Sequence, residues 1–235
     1  MEQYVWLCVA LFFLAVWILI YCLSDKAARR DMWVSSLIMA PFGLSEPLFV
    51  PEYWSPPSLF NLALTTGFDI ESIIFMFGVC GVAGVLYQLL FRLRLASYRP
   101  ARSTHRRLHI HIAPLVLLIL CLLVLPFISP LNPIYCGLIG GILGCVWVAV
   151  FRKDLIVPMF GGGILFALLY FLAFQAVVLF IPSYIESVWN LSALSGILFI
   201  GVPLEEIVWG FSMGVACTSF YEYLFDKRLV AGRKR

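Results

Sequence analysis

Charge is scarce in this sequence, and positive charge is missing from every long apolar stretch. Only 12% of the 235 residues are charged while 63% are hydrophobic, and the mean hydropathy is +0.99. That balance excludes an ordinary soluble globular domain. No CxxC pair occurs: the seven cysteines (8, 22, 80, 121, 136, 145 and 217) are odd in number and scattered through apolar runs, so they read as packing residues. His105, His109 and His111 have no acidic or cysteine neighbours in sequence, which leaves no metal site. "GGG" at 161–163 has no preceding strand of a βαβ unit and is no dinucleotide loop. Lys26, Lys153, Lys227 and Lys234 all lie at or beyond the ends of apolar stretches, so no lysine is placed to carry a covalent retinal. The start, "MEQYVW", lacks a positive n-region, and no small-residue cleavage site follows it; the first apolar stretch is expected to stay.

What is there is apolar helix. Seven stretches are long enough to cross hydrocarbon: about 4–23, 32–50, 67–91, 110–127, 134–151, 155–181 and 196–225. The loops between them are too short for a soluble domain. All sixteen Lys and Arg fall on one side of this seven-helix arrangement, in the groups 26–30, 92–107, 152–153 and 227–235, whereas the opposite loops contain none. The positive-inside rule then puts the N-terminus outside and the C-terminus in the cytoplasm of a multi-pass protein, with the plasma (inner) membrane as its expected location. The basic run "RLRLASYRPARSTHRRLHIH" reads as a loop beside anionic lipid, not as a nucleic-acid surface. "EYWSPP" at 52–57 reads as an aromatic anchor at the outer interface.

Sliding the chain by 134 residues aligns "DIESIIFMFGVCGVAGVLYQLLF" (69–91) with "PLEEIVWGFSMGVACTSFYEYLF" (203–225). Glu71 meets Glu205, Ile73 meets Ile207, Phe77 meets Phe211, Tyr87 meets Tyr221, and Leu90 and Phe91 meet Leu224 and Phe225. Both segments run from outside to inside, so the repeats are parallel and related by an axis along the membrane normal. A three-helix unit reverses the chain's side, and a parallel copy needs one extra span. The expected plan is an all-α membrane protein with two three-helix repeats (1–95 and 131–235) joined by a basic loop and linker helix (96–130). Glycines along the third, fifth and seventh stretches read as sites of close helix contact.

Against this background, five acids stand where charge is expensive: Glu46, Asp69, Glu71, Glu205 and Glu206. Glu71 and Glu205 each precede the cytoplasmic boundary (Arg92, Asp226) by a helical rise of roughly 31 Å, which sets them at one depth near the outer edge of the hydrocarbon. Glu46, about 22 Å from Asp31 along a helix, reaches the same layer. Asp69 and Glu52, and less readily the Glu205 and Glu206 pair, also fit hydrated, interfacial, helix-capping positions. Carboxylates inside membrane bundles mark ligand sites, proton relays or substrate paths. Phe75 and Trp209 follow Glu71 and Glu205 by one helical turn, on the same face, and a π face stabilises a cation where water is excluded. The combination suggests acid catalysis on an alkene-bearing lipid: a carboxylic acid protonates a double bond, rings shelter the cation, and a carboxylate removes a proton. Neither metal nor cofactor is needed. A proton-coupled transporter would also carry acids in repeated helices, but it should show a polar path through both halves of the membrane, whereas acids gather toward the outside and the inner halves of the third and seventh helices read as mostly apolar.

"PLEE" (203–206), "EYW.P" (52–56) and "GFDIESIIFMFGVCGVAGVLYQ" (67–88) together resemble the membrane-integral lycopene cyclases, which occur as heterodimers in Gram-positive bacteria, as single chains in archaea and as fusions in fungi. The resemblance spans nearly the whole chain, with both halves in one polypeptide. It implies redox-neutral conversion of a linear carotenoid end group to a β-ionone ring, an apolar carotenoid substrate, surrounding lipid, and contacts with other carotenoid-pathway enzymes. Carried over, Glu205 and Glu206 match the family's acid pair and Glu71 its partner from the first half, with Glu206 or Glu205 expected to donate the proton to the terminal alkene and another carboxylate to receive one. Glu46, Asp69, Phe75, Phe77, Trp209 and Phe211 are the expected substrate-binding and cation-sheltering residues. Ser72 departs from the pattern, standing where an acid often follows the first-half Glu. A noncatalytic carotenoid-binding relative is the remaining reading.

Overall fold

Local signals start and stop the helices of this computed structural model, which describes residues 2–98 and 107–232. After α1 (Val5–Leu23), the Asp25 side chain accepts from the backbone N–H groups of Ala27 and Ala28 and opens α2 (Lys26–Met39). Pro41 ends regular α-helix there, and the chain continues as 3-10 helix over Ala40–Leu48. Gly43 lets this segment rest directly on the next long helix: a Cβ at 43 would lie 2.6 Å from backbone atoms of Ser72 and Ile73. A short turn of helix, α3 (Leu62–Thr66), precedes α4 (Ile70–Leu90), whose N-cap is Asp69. Beyond it come strand β1 (Leu93–Ser97), α5 (Arg107–Ile128), α6 (Pro133–Phe151, capped by Asn132) and α7 (Ile156–Phe180). The chain closes with α8 (Tyr184–Val188), the two-residue strands β2 (Leu198–Phe199) and β3 (Val202–Pro203), α9 (Leu204–Leu224) and β4 (Lys227–Ala231).

Helix thus occurs at all seven expected places, with two boundary corrections. The stretch 32–50 is not one α-helix, because prolines 41 and 47 convert its second half to 3-10 geometry. The stretch 196–225 becomes helical only at Leu204; before it lie loop and the β2–β3 hairpin. Among the described residues five helices are long and apolar enough to cross a membrane: Glu2–Leu23, Ile70–Leu90, Ile110–Ile128, Pro133–Phe151 and Lys153–Phe180. This marks the chain as a mostly helical membrane protein. The other two fall short, since α2 has 14 residues with charges at its start and α9 carries Glu205, Glu206 and Glu222.

The two short β pairs were not expected. β1 pairs antiparallel with β4, Leu95 opposite Leu229 at the centre and Leu93 opposite Ala231 at one end. Each of these strands follows its long helix through one residue with left-handed backbone, Arg92 (φ 51°) and Asp226 (φ 50°). α4 and α9 have equal length, 21 residues, and start, end and enter their strands at positions offset by the same 134 residues seen in the sequence.

The core lies where α1, α4, α7 and α9 meet. Phe13 and Val79, both fully buried, sit in it with Phe166 and Tyr170. α7 and α9 approach most closely at Gly162 and Gly214, where a Cβ on Gly214 would lie 2.7 Å from the Gly162 carbonyl oxygen. α5, by contrast, shows mostly exposed leucine, isoleucine and valine side chains and packs chiefly on α6. At one end the loops dock on each other: Ser55 N–H donates to Val188 O (2.8 Å), Asn190 N–H to Tyr53 O (2.9 Å), and the Asn132 side chain to Glu52 O (2.8 Å). At the other end Arg152 donates to the carbonyls of Glu222 (3.2 Å) and Lys227, with its guanidinium 3.9 Å from the Tyr98 ring centre. Residues 99–106 and 233–235 of the basic groups, His105 among them, lie outside the described residues.

Candidate active site

"PLEE" supplies the centre of the site. Pro203 sets the entry to α9, and Glu205 and Glu206 fall in its first turn, where free backbone N–H groups favour negative charge. Adjacent helical residues point about 100° apart, so the two acids meet different surroundings. Glu206 turns inward. Its Oε1 accepts from the hydroxyl of Tyr53 and from the indole N–H of Trp189 (3.0 Å), and its Oε2 accepts from the hydroxyl of Tyr170. Only 5% of the residue is exposed, and three donors from three separate elements converge on it. Such full satisfaction is what makes a buried carboxylate tolerable.

Glu205 turns toward the loop. It accepts from the Tyr135 hydroxyl (2.6 Å) and from Ser195 N–H (2.8 Å), ten residues upstream. Glu71 does the corresponding thing in α4: its Oε1 accepts from Leu59 N–H (2.7 Å), twelve residues upstream. Each therefore ties an incoming loop to the start of its helix. The position after Glu71 is Ser72, the counterpart of Glu206 under the 134-residue offset, and its hydroxyl bonds Glu46 Oε2 (3.2 Å) and Asp69 Oδ2 (3.1 Å). Asp69 also accepts from Ser72 N–H as the cap of α4. Glu46 Oε1 has no hydrogen-bond partner among the described residues, although it is buried.

Glu206, Glu46 and Ser72 share the wall of a cavity of about 180 Å³. Apart from Ser45 and Ser212 its other walls are apolar and aromatic, with Trp6, Trp54, Phe75, Tyr170, Phe174 and Trp209 prominent. An engineered apolar cavity of about 150 Å³ admits benzene, so the space here suits one six-carbon ring. Phe75 and Trp209, offset by 134 residues, stack on each other with centroids 5.6 Å apart and planes at 24°. Trp6 lies 4.8 Å from Phe75 and Tyr170 lies 5.2 Å from Trp209, extending the ring-lined wall on both sides.

Of the nine residues singled out in the sequence, the structure gathers Glu46, Phe75, Trp209 and Glu206 on the cavity, with Asp69 joined through Ser72. Among the described residues Glu71 and Glu205 do not line it. Phe77 packs between Trp17 and Trp33 (5.1 and 5.6 Å), and Phe211 against Phe160 and Gly163, both away from the cavity. Sequence reasoning missed Tyr53, Tyr170 and Trp189. Tyr53 and Trp54 were expected at the membrane interface, but they are 4% and 7% exposed and belong to the site. The proline-rich loop turns them inward, where Trp54 and Trp189 form a β-bridge and their rings lie 5.2 Å apart.

The opposite end, read from the sequence as mostly apolar, also holds buried polar groups: Asp31, Ser35, Gln88 and Glu222, with Ser35 Oγ donating to Asp31 Oδ1 (3.0 Å) and Gln88 Nε2 to Asp31 Oδ2 (3.4 Å). Between this group and Glu206 lie Val79, Val82, Ala83 and Cys217, buried and apolar, and the hydroxyls buried among them are spent on backbone carbonyls, Ser36 Oγ donating to Phe77 O (2.7 Å) and Thr218 Oγ1 to Ala83 O (3.0 Å).

Residues 132–224, which include Tyr135, Tyr170, Trp189, Glu205 and Glu206, match the model of the lycopene cyclase family, and this match supports membership of that family. No curated protein and no solved structure matches the chain.

Proposed function

We propose, from that family match, that the protein is a membrane-integral carotenoid cyclase that isomerises the linear end group of an apolar polyene to a β-ionone ring. The observation that carries this reading is Glu206: a buried carboxylate held by three donors, sharing with Glu46 the wall of a cavity built mostly from rings and aliphatic groups. A hydrolytic or redox enzyme has little use for such a wall. A carbocation has, because π faces and a fixed carboxylate stabilise it without a nucleophile that would trap it.

In this account Glu46 is the acid. A proton on its partnerless Oε1 has the cavity's alkene as its acceptor, and the C–H bond formed at the terminal double bond leaves a tertiary cation. The π electrons of the next double bond close the six-membered ring and move the charge onto the ring. Loss of a ring proton to a carboxylate restores a double bond. Atoms and electrons balance without an oxidant, so the reaction is an isomerisation. Glu206 accepts three hydrogen bonds as a carboxylate and is the counter-ion to the cation and the receiving base. Ser72 joins Glu46 to Asp69 and gives the acid a route for reprotonation. Glu71 and Glu205 hold the loops that carry Tyr53 and Trp189.

The wider architecture of this reading is seven spans with N-terminus outside, in two parallel three-helix repeats. Support comes from the equal bounds of α4 and α9, the shared left-handed residue after each, the symmetric register of β1 with β4, and the Phe75–Trp209 stack. Transport fits less well, since buried apolar residues separate the two polar ends. The test is pigment analysis in bacteria that accumulate linear carotenoid. Wild-type protein should yield cyclic carotenoids, and Glu206→Gln should reach the membrane yet yield none. Unchanged linear pigment with wild type, or full activity in Glu206→Gln, would remove the proposal.

A further inference from the structure

The cavity at Glu206 does not end there. A second apolar cavity of about 90 Å³ adjoins it, and Met39, Leu118, Gly141 and Ala216 line both. The shared residues make a neck between two chambers. On α9 the lining follows one face from end to end: Glu206, Trp209, Met213, Ala216, Phe220 and Tyr223, at steps of three and four residues. On α6 the same holds from Ile134 through Gly137, Gly141 and Gly144 to Val148, and α5 closes the side with Leu122, Leu118, Leu115 and His111. From Glu206 to Tyr223 the helix rises about 25 Å. The far end is capped by polar groups: the Tyr223 hydroxyl donates to Ile110 O (2.8 Å), as does Trp147 Nε1 (3.1 Å), and the His111 ring lies 5.1 Å from the Tyr223 ring.

We infer that the two chambers form one channel, in which the unreacted part of the polyene lies along α6 and α9 while its end group occupies the acid-bearing chamber, and that Gly141 and Ala216 set the width of the neck the chain must pass. This rests on the cyclase reading above. An extended chain advances about 1.2 Å per bond, so the channel takes about twenty bonds. The second chamber is lined mostly by apolar side chains, with Ser219 Oγ turned back to the carbonyls of Val215 and Ala216 and the other polar groups, His111 and Tyr223, at its end. Gly141 is the telling residue, because no described atom beyond its chain neighbours and its own turn of helix backbone lies within 4 Å of where its Cβ would be. Other glycines of these helices have their Cβ space filled by a neighbour, as Gly140 has by Leu118 and Cys121. Gly141 instead leaves its space to the channel.

The experiment compares two substrates in membranes: the linear carotenoid, and an apocarotenoid with the same end group shortened to about twelve bonds, which reaches from Glu206 only to the neck. The series Gly141→Ala, Gly141→Val and Gly141→Leu grows into open space and should still fold; Ala216→Leu narrows the neck from α9. The ratio of long to short substrate converted should fall stepwise along the series, by about tenfold or more at Leu. Ile142→Leu, on the exposed side of α6, should leave the ratio unchanged. An unchanged ratio in both Gly141→Leu and Ala216→Leu would overturn the channel. If wild type converts neither substrate, the cyclase reading fails, and retention of linear carotenoid by the purified protein tests the channel alone: less retained pigment in Gly141→Leu supports it, and equal retention overturns it.

Discussion

Replacing Tyr170 by Phe asks how much the hydroxyls around Glu206 contribute. The Tyr170 ring is wedged among Phe13, Phe166, Phe174 and Trp209, with centroids 4.8–6.1 Å away, and Phe keeps those contacts. Only the hydrogen bond to Oε2 is lost, and among the described residues it is the sole one that oxygen accepts. A hydrogen bond to a charged group is worth about 1.5–3 kcal/mol. If Glu206 must be an ionised and fixed carboxylate to hold the cation and take the proton, losing the donor that keeps Oε2 ionised and in place costs that energy in forming the active state, and at about 1.36 kcal/mol per decade the rate should fall about 10- to 150-fold. Tyr53→Phe should cost less, because Oε1 keeps Trp189 as a donor. Initial rates of ring formation in membranes, normalised to protein content, measure both. A Tyr170→Phe rate within about twofold of wild type, or a larger effect from Tyr53→Phe, would refute the role given to Glu206.

Two further outcomes follow from the loops and the packing. Glu71→Gln and Glu205→Gln keep an oxygen for the Leu59 and Ser195 N–H groups, so both should lower thermal stability in detergent by about 1–3 kcal/mol at most and retain ring formation; complete inactivity in a folded variant would make one of them chemical. Gly43→Val should abolish activity in protein that still inserts, because its side chain would drive the Glu46 segment off Ser72 and Ile73; a wild-type rate would show that Glu46 is dispensable.

Much of this molecule is legible in its sequence. The ends of α4 and α9 and the start of α4 lie close to where the matched acids and aromatics put them, while α9 starts eight residues later than its apolar stretch (204 against 196); Phe75 and Trp209 are singled out by their one-turn spacing from Glu71 and Glu205. Spacing along one helix, however, says nothing about what reaches it from elsewhere. Tyr170 lies in the apolar stretch 155–181, which shows no face that singles it out, and Trp189 lies in a loop, so their bonds to Glu206 were invisible. Tyr53 and Trp54 were visible as a motif, but aromatic residues near a membrane surface suggest anchoring until a proline-rich loop is seen to fold back. The repeat aligned Glu71 with Glu205 and so drew attention to the two acids that hold loops. The cavity-facing pair in the same register is Ser72 and Glu206, one residue later, about 100° around the helix. Depth estimates had assumed an unbroken α-helix through Glu46, whereas its 3-10 segment is what sets it beside Ser72.

The most direct test follows solvent hydrogen. Purified protein in lipid, given linear carotenoid in deuterated water and examined by mass spectrometry, should yield cyclic product carrying one solvent-derived deuteron for each ring formed, with no added oxidant or reductant. Rings formed without deuterium would contradict proton addition from a carboxylic acid and the account built on it.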